Sequence, residues 1–203
     1  MDFAVLAEAV VLSGRTVLDV GCGDGALVRR LAAAGADAIG VDVRVDRAYG
    51  GRFLVGGAEA LPLEDASVDV AVLMRSLHHV PDPDAAFPEL RRVVRDVVYI
   101  AEPLAEGEFF ELMRPVDDET AVRAAAQAAI ARADGFERLR TFEYYSPIGL
   151  DSFEAFERMV LGADPDRRAR FASVERQLRE RFRPGGYESR TRVDLLRVVS
   201  SRP

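Results

Sequence analysis

The sequence predicts an α/β domain built on a mostly parallel sheet, and three observations carry that expectation. Short apolar strands alternate with helix-like segments through the first half of the chain. One of those strands, Val68–Met74 ("VDVAVLM"), is apolar almost throughout, the pattern of a strand covered on both faces. A strand also runs directly into a helix through alternating glycines at Gly21, Gly23 and Gly25. Such alternation gives right-handed crossovers, and ligands of open parallel sheets bind beyond the carboxyl ends of the strands.

The elements follow in order. Thr16–Val20 reads as the first strand, and Asp24–Ala34 as a helix with Leu27 and Leu31 spaced for one buried face. Ala38–Val41 and Arg52–Val55 are the next two strands, and Val68–Met74 the fourth. Asp84–Val94 reads as a helix with Asp82 or Asp84 as its cap and Leu90, Val93 and Val94 on its inner face. Asp96–Ala101 is a fifth, buried strand. Beyond it, alanine-rich Asp117–Ala133 is helical, Glu137–Tyr145 a strand, Asp151–Leu161 and Pro165–Phe182 helices, and Arg192–Val199 a closing strand. The loops after Val20, Val41, Val55, Met74 and Ala101 share one rim. The whole is expected to be one domain, with residues 1–104 the cofactor-binding half and 105–203 the acceptor side, including a helical insertion at 151–186.

Composition narrows the chemistry. The 203 residues carry a net charge of −7, which speaks against a nucleic-acid surface. There is no lysine and no asparagine, so no lysine serves as base or Schiff-base amine. The single cysteine, Cys22, excludes an internal disulfide and fits a reducing, cytoplasmic setting. The adjacent histidines and the distant cysteine cannot fill a structural zinc site, so no metal is expected. The start, "MDFAVLAEAVVLSG", lacks a basic flank and carries Asp2 and Glu8, which argues against a signal peptide or a membrane span.

The stretch Val17–Val43, "VLDVGCGDGALVRRLAAAGADAIGVDV", concentrates the functional signal. Glycines let a ligand approach the backbone. Asp42 closes the second strand nineteen residues after Gly23, where a carboxylate takes ribose hydroxyls. NAD and S-adenosylmethionine both use this arrangement. The spacing is G-x-G-x-G, with Ala26 in the place of a final glycine, and no basic residue lies in the loop. Asp19, two residues ahead of Gly21, would repel a pyrophosphate but suits a ligand with an ammonium group.

"VLDVGCGDG" resembles the first motif of the class I S-adenosylmethionine-dependent methyltransferases, and "GVDV" their ribose-binding motif. "GGAEALPLEDASVDVAVLMRSLHHV" resembles their adenine-binding segment, fourth strand and "LHHV" extension; together the likeness spans residues 16–102. It implies a Rossmann-like doubly wound seven-stranded sheet of order 3-2-1-4-5-7-6, with strand seven antiparallel. It implies S-adenosylmethionine as cofactor, with Gly21, Cys22, Gly23 and Gly25 under its methionine moiety and Asp19 in support. Asp42 is implied at the ribose, Val43, Ala58 and Glu59 at the adenine, and the backbone of Met74 and Arg75 at the methionine amine.

Three departures stand out. The position before Ala58, commonly aspartate in the family and read against the adenine amino group, is Gly57, so one hydrogen bond to the base is either missing or supplied by Glu59 or Asp65. The family's helix after strand two is reduced to a turn within Val43–Arg52. The glycine-rich turn before strand five is absent from "RRVVRDVVYIAEP".

His78, His79 and Glu102 lie on the acceptor rim, where histidine suits deprotonation of an oxygen nucleophile and a carboxylate fixes its tautomer. The two histidines are equal candidates. Phe109, Phe110, Leu112 and Met113 are expected to give an apolar acceptor wall, and the arginine-rich helix a solvated face, a lid or a dimer contact. The leading expectation is methyl transfer to a small-molecule acceptor, at oxygen, with no nucleic-acid or membrane partner and a homodimer as an option. A non-catalytic cofactor-binding module and an NAD-linked oxidoreductase are the alternatives.

Overall fold

The computed structural model describes residues 1–44 and 51–199. The strands are β1 (Thr16–Val20), β2 (Asp37–Asp42), β3 (Arg52–Val55), β4 (Val68–Met74), β5 (Val94–Pro103), β6 (Phe136–Leu150) and β7 (Gly185–Val198). They form one sheet in the order β3-β2-β1-β4-β5-β7-β6, with β7 antiparallel, as the sequence predicts. The first five strands pair in parallel, and register aligns Leu18 with Ile39 on one side and with Ala71 on the other. The helices are α1 (Asp2–Ala9), α2 (Ala26–Ala33), α3 (Ala86–Val93), α4 (Glu108–Met113), α5 (Thr120–Arg132), α6 (Phe153–Ala163) and α7 (Arg168–Arg181).

Several bounds differ from expectation. α1 has no counterpart in the sequence reading. β5 starts at Val94, the residue after α3, so the missing glycine turn is replaced by a direct helix-to-strand switch at "RVVR". β6 and β7 are 15 and 14 residues long, and β7 begins at Gly185 rather than Arg192, which trims the helical insertion. Their added residues carry no apolar alternation that would mark them as strand. β6 tolerates Pro147 because it is the sheet edge, where a missing N–H costs no ladder bond. Asp82, not Asp84, takes the amides ahead of α3, while Asp84 pairs with Arg132 at 2.6 Å. The shortened link after β2 falls mainly on 45–50, outside the described residues.

The chain divides into two compact units. The first comprises 1–102, 125–143 and 192–203, and its core is almost wholly aliphatic: Leu18, Ile39, Leu73, Leu90 and Ile100 are at most 1% exposed. The second comprises 103–124 and 144–191, and its core is a cluster of rings. Phe153 lies 5.7 Å from Phe156 and 5.9 Å from Phe171 between ring centroids, and Phe182 and Tyr187 complete the cluster. Phe110 and Leu112 are buried, Leu112 with the ring cluster, and Phe109 and Met113 pack against that cluster partly buried.

Candidate cofactor site

The site is built at the carboxyl ends of β1, β2, β3 and β4. β1 ends at Val20 and the chain enters the glycine loop with φ angles of +76°, +52° and +71° at Gly21, Gly23 and Gly25. The Gly21 and Cys22 N–H groups donate to the Val41 carbonyl at 2.8 and 3.1 Å, tying the loop to β2. A Cβ on Gly21 would stand 2.5 Å from that of Ser76, so the loop needs glycine there for close approach as well as for φ. Gly25 is buried under Phe53, and a Cβ on it would lie 2.5 Å from the ring.

Asp42, the last residue of β2, accepts from Gly23 N–H at 2.9 Å through one oxygen and from Arg44 N–H at 3.1 Å through the other. Its carboxylate thus fixes the loop and keeps lone pairs for hydroxyl donors. Beneath the loop, Asp19 is 2% exposed and its Oδ2 has no hydrogen-bond partner. Burial, with the charges of Asp42 and Asp24 adding to it, pushes its pKa up to about 7. A buried carboxyl in this state is stabilised by an incoming cation. Cys22 does not line the cavity: a Cβ on Gly40 would lie 2.8 Å from its Sγ, so the thiol fills space beside β2. Burial and the charges of Asp19 and Asp42 push that thiol up to about 12, which removes it as a nucleophile.

A cavity of about 300 Å³ opens beside this loop. Among its walls are Gly21, Gly23, Asp42, Val43, Ala58, Glu59, Arg75 and His79, eight of the residues the sequence singled out. Asp19, Cys22, Gly25, Met74, His78 and Glu102 lie outside the lining. Val43 is 66% exposed and Ala58 buried. A Cβ on Gly57 would fall 2.8 Å from Glu59 Oε2, so the Glu59 carboxylate stands where a residue-57 side chain would project. Asp65 instead pairs with Arg92 at 2.9 Å and does not line the cavity.

The segment after β4 completes the wall. Arg75 takes φ +58°, a left-handed conformation that costs a non-glycine residue about 1 kcal/mol or more, and its N–H donates to the Ala101 carbonyl at 2.8 Å. Ser76, which sequence reading passed over, is buried and donates its hydroxyl to the Val20 carbonyl at 2.7 Å, joining β4 to β1 under the glycine loop. Its signal was indirect: the glycine at 21 implies a neighbour in close contact.

Glu102, near the end of β5 and 1% exposed, accepts from Ser76 N–H at 3.0 Å and Leu77 N–H at 2.8 Å. Its other oxygen bonds His78 Nδ1. His78 is buried with it, while His79 is exposed on the cavity wall, with ring centroids 4.0 Å apart. The two histidines, equal in the sequence, are thus separated: one is held by a buried carboxylate, the other faces the cavity.

A solved structure of a Bacillus halodurans protein described as a methyltransferase shares this fold, with a TM-score of 0.70 over 98% of this chain and 99% of that one at 17% identity. Residues 18–101, which hold the glycine loop, Asp42, Glu59 and the histidine segment, match the methyltransferase domain family. Over this segment the chain is similar to the class I S-adenosylmethionine-dependent methyltransferases. Among curated methyltransferases, an uncharacterised one from Mycobacterium bovis is 43% identical over 90 residues, covering 41% of this chain and 37% of that protein. A ubiquinone biosynthesis O-methyltransferase from Bordetella avium is 38% identical over 89 residues, 36% of each chain. The likeness therefore spans well under half the length of these relatives. Among the described residues, no helix is long and apolar enough to cross a membrane.

Proposed function

We propose that this chain binds S-adenosylmethionine in the 300 Å³ cavity and methylates a small-molecule acceptor at oxygen. The observation that carries the cofactor assignment is Asp19: a buried carboxyl with an unpartnered oxygen under a glycine loop suits an ammonium-bearing ligand and opposes a pyrophosphate. Asp42 would hold the ribose hydroxyls, and Val43 and Ala58 would flank the adenine. Glu59, acceptor-only when ionised, would take the adenine amino group in place of the absent side chain at Gly57. Gly21, Gly23 and Gly25 would pass beneath the methionine moiety, beside the backbone of Met74 and Arg75.

When bound, the cofactor supplies an electrophilic methyl group. The chain's own part is alignment, exclusion of water and removal of the acceptor's proton. His79, exposed on the cavity wall, would take the proton of the acceptor hydroxyl as the oxygen is methylated. The buried His78–Glu102 pair, with the Ser76 and Leu77 amides on the same carboxylate, would hold that segment rigid. The Bordetella relative's O-methyltransferase name supports oxygen as the atom methylated, and the free thiol of Cys22 supports a cytoplasmic setting.

Calorimetry with S-adenosylhomocysteine and NAD⁺ tests the cofactor: S-adenosylhomocysteine is expected to bind and NAD⁺ not, and the reverse would sink the proposal. With methyl-labelled S-adenosylmethionine and a panel of small phenols, His79→Ala is expected to lower turnover about 100-fold or more. Full activity in His79→Ala would remove the general-base role.

A further inference from the structure

The cavity has a pronounced charge layout. Asp42 and Glu59 lie on its β2–β3 side, and Arg75 supplies the one guanidinium among the described residues lining it. That arginine is held in a left-handed backbone conformation at the end of β4, an arrangement that fold stability alone does not call for. Its side chain is 40% exposed, and its Nη2 lies 3.0 Å from Oδ2 of Asp2, the first residue of α1. A carboxylate oxygen therefore already fits against this guanidinium at the cavity wall. The pair joins two partly exposed groups, 40% and 28% exposed, the kind of contact that contributes little and exchanges with solvent, and the guanidinium fork can grip a ligand carboxylate at two points.

We propose that Arg75 reads the carboxylate of the ligand's amino-acid end, taking it in exchange for Asp2. The assignment rests on the S-adenosylmethionine reading of the cavity and extends it. It gives the zwitterionic end of the ligand one site for each charge: Asp19, buried below Gly21 with a free oxygen, for the ammonium, and Arg75 for the carboxylate. It also assigns a purpose to α1. Asp2 holds the guanidinium in place until a carboxylate competes for it, so ligand binding releases the first turn of α1 from the β4 loop.

The test compares S-adenosylhomocysteine with its decarboxylated counterpart, 5′-deoxy-5′-(3-aminopropylthio)adenosine, by calorimetry on the whole chain. The native protein is expected to prefer the carboxylate-bearing nucleoside by about tenfold or more, as for a charge-assisted fork contact. Arg75→Ala should bring the two within about threefold, and Arg75→Gly, which relieves the φ of +58°, should do the same if the alanine variant folds poorly. Arg75→Lys should keep part of the preference, and Asp2→Asn should tighten S-adenosylhomocysteine a few-fold without moving the decarboxylated ligand. A preference that survives Arg75→Ala and Arg75→Gly, or weaker S-adenosylhomocysteine binding by Asp2→Asn, overturns the exchange while leaving the cofactor reading intact. Failure of both nucleosides to bind the native protein overturns the two together.

Discussion

Around β1, β2, β4 and β5, aliphatic side chains are buried on both faces of a parallel sheet; in residues 103–124 and 144–191, side chains close instead around a knot of rings. The first arrangement leaves its strand ends free to form loops, and the glycine loop, Asp42, Glu59 and Arg75 all stand on such loops or strand ends. The second concentrates its packing energy in a few large residues. The contrast predicts different responses to single substitutions. Phe156→Ala, which removes a fully buried ring from the aromatic cluster, is expected to cost about 3–5 kcal/mol of stability in urea unfolding. The same variant should leave S-adenosylhomocysteine affinity within a few-fold where it remains folded. A loss of less than about 1 kcal/mol would mean that the cluster is not the anchor its burial indicates.

Asp42→Ala should invert that pattern, with little change in stability and a loss of about 1–3 kcal/mol in cofactor affinity, the cost of leaving ribose hydroxyls without their acceptor. Calorimetry with S-adenosylhomocysteine reads it directly, and unchanged affinity would refute the ribose role.

The same contrast explains what the sequence discloses. Strands buried on both faces must be apolar almost throughout, so β1 and β4 are legible to the residue, and the Gly-rich turn and Asp42 follow because their conformations and charge have few substitutes. β7 is legible only from Arg192, because its first seven residues, "GGYESRT", have no periodicity and are strand through pairing alone. The ring cluster draws Phe153, Phe156, Phe171, Phe182 and Tyr187 from two helices, a loop and a strand, a grouping with no local pattern. In the site, the difference between His78 and His79 depends on Glu102, 24 residues distant from His78, and Ser76 is identified by what it touches rather than by its type.

The burial of Asp19 has a pH signature. Its folded-state pKa of about 7 lies above the ordinary carboxylate value of 3.8, so the protonated carboxyl contributes stability that is fully present below about pH 4 and is lost as pH rises through about 7. The melting temperature of the native protein should therefore fall relative to that of Asp19→Asn between pH 4 and 8. The gain in melting temperature on adding S-adenosylhomocysteine should grow over the same range, because the ammonium needs the ionised carboxylate. Parallel curves for the two proteins would show that Asp19 titrates as an ordinary exposed acid.

The smallest expected effect concerns Glu59. Its carboxylate occupies the space into which a side chain at position 57 would project, and a carboxylate accepts from an exocyclic amine but cannot donate to an oxo group. Binding of S-adenosylhomocysteine over S-inosylhomocysteine should therefore depend on it. Glu59→Gln, whose amide can donate, should narrow the preference by about fivefold, the equivalent of one hydrogen bond of about 1 kcal/mol. The decisive variant is the double exchange Gly57→Asp with Glu59→Ala. Gly57 has no left-handed φ, and the atom a Cβ would crowd, Glu59 Oε2, is removed in that background. The acid is then supplied from residue 57 and the preference should return. If Glu59→Ala leaves the preference unchanged, or the double variant fails to restore it, the carboxylate is a neighbour of the base-binding corner and not its reader.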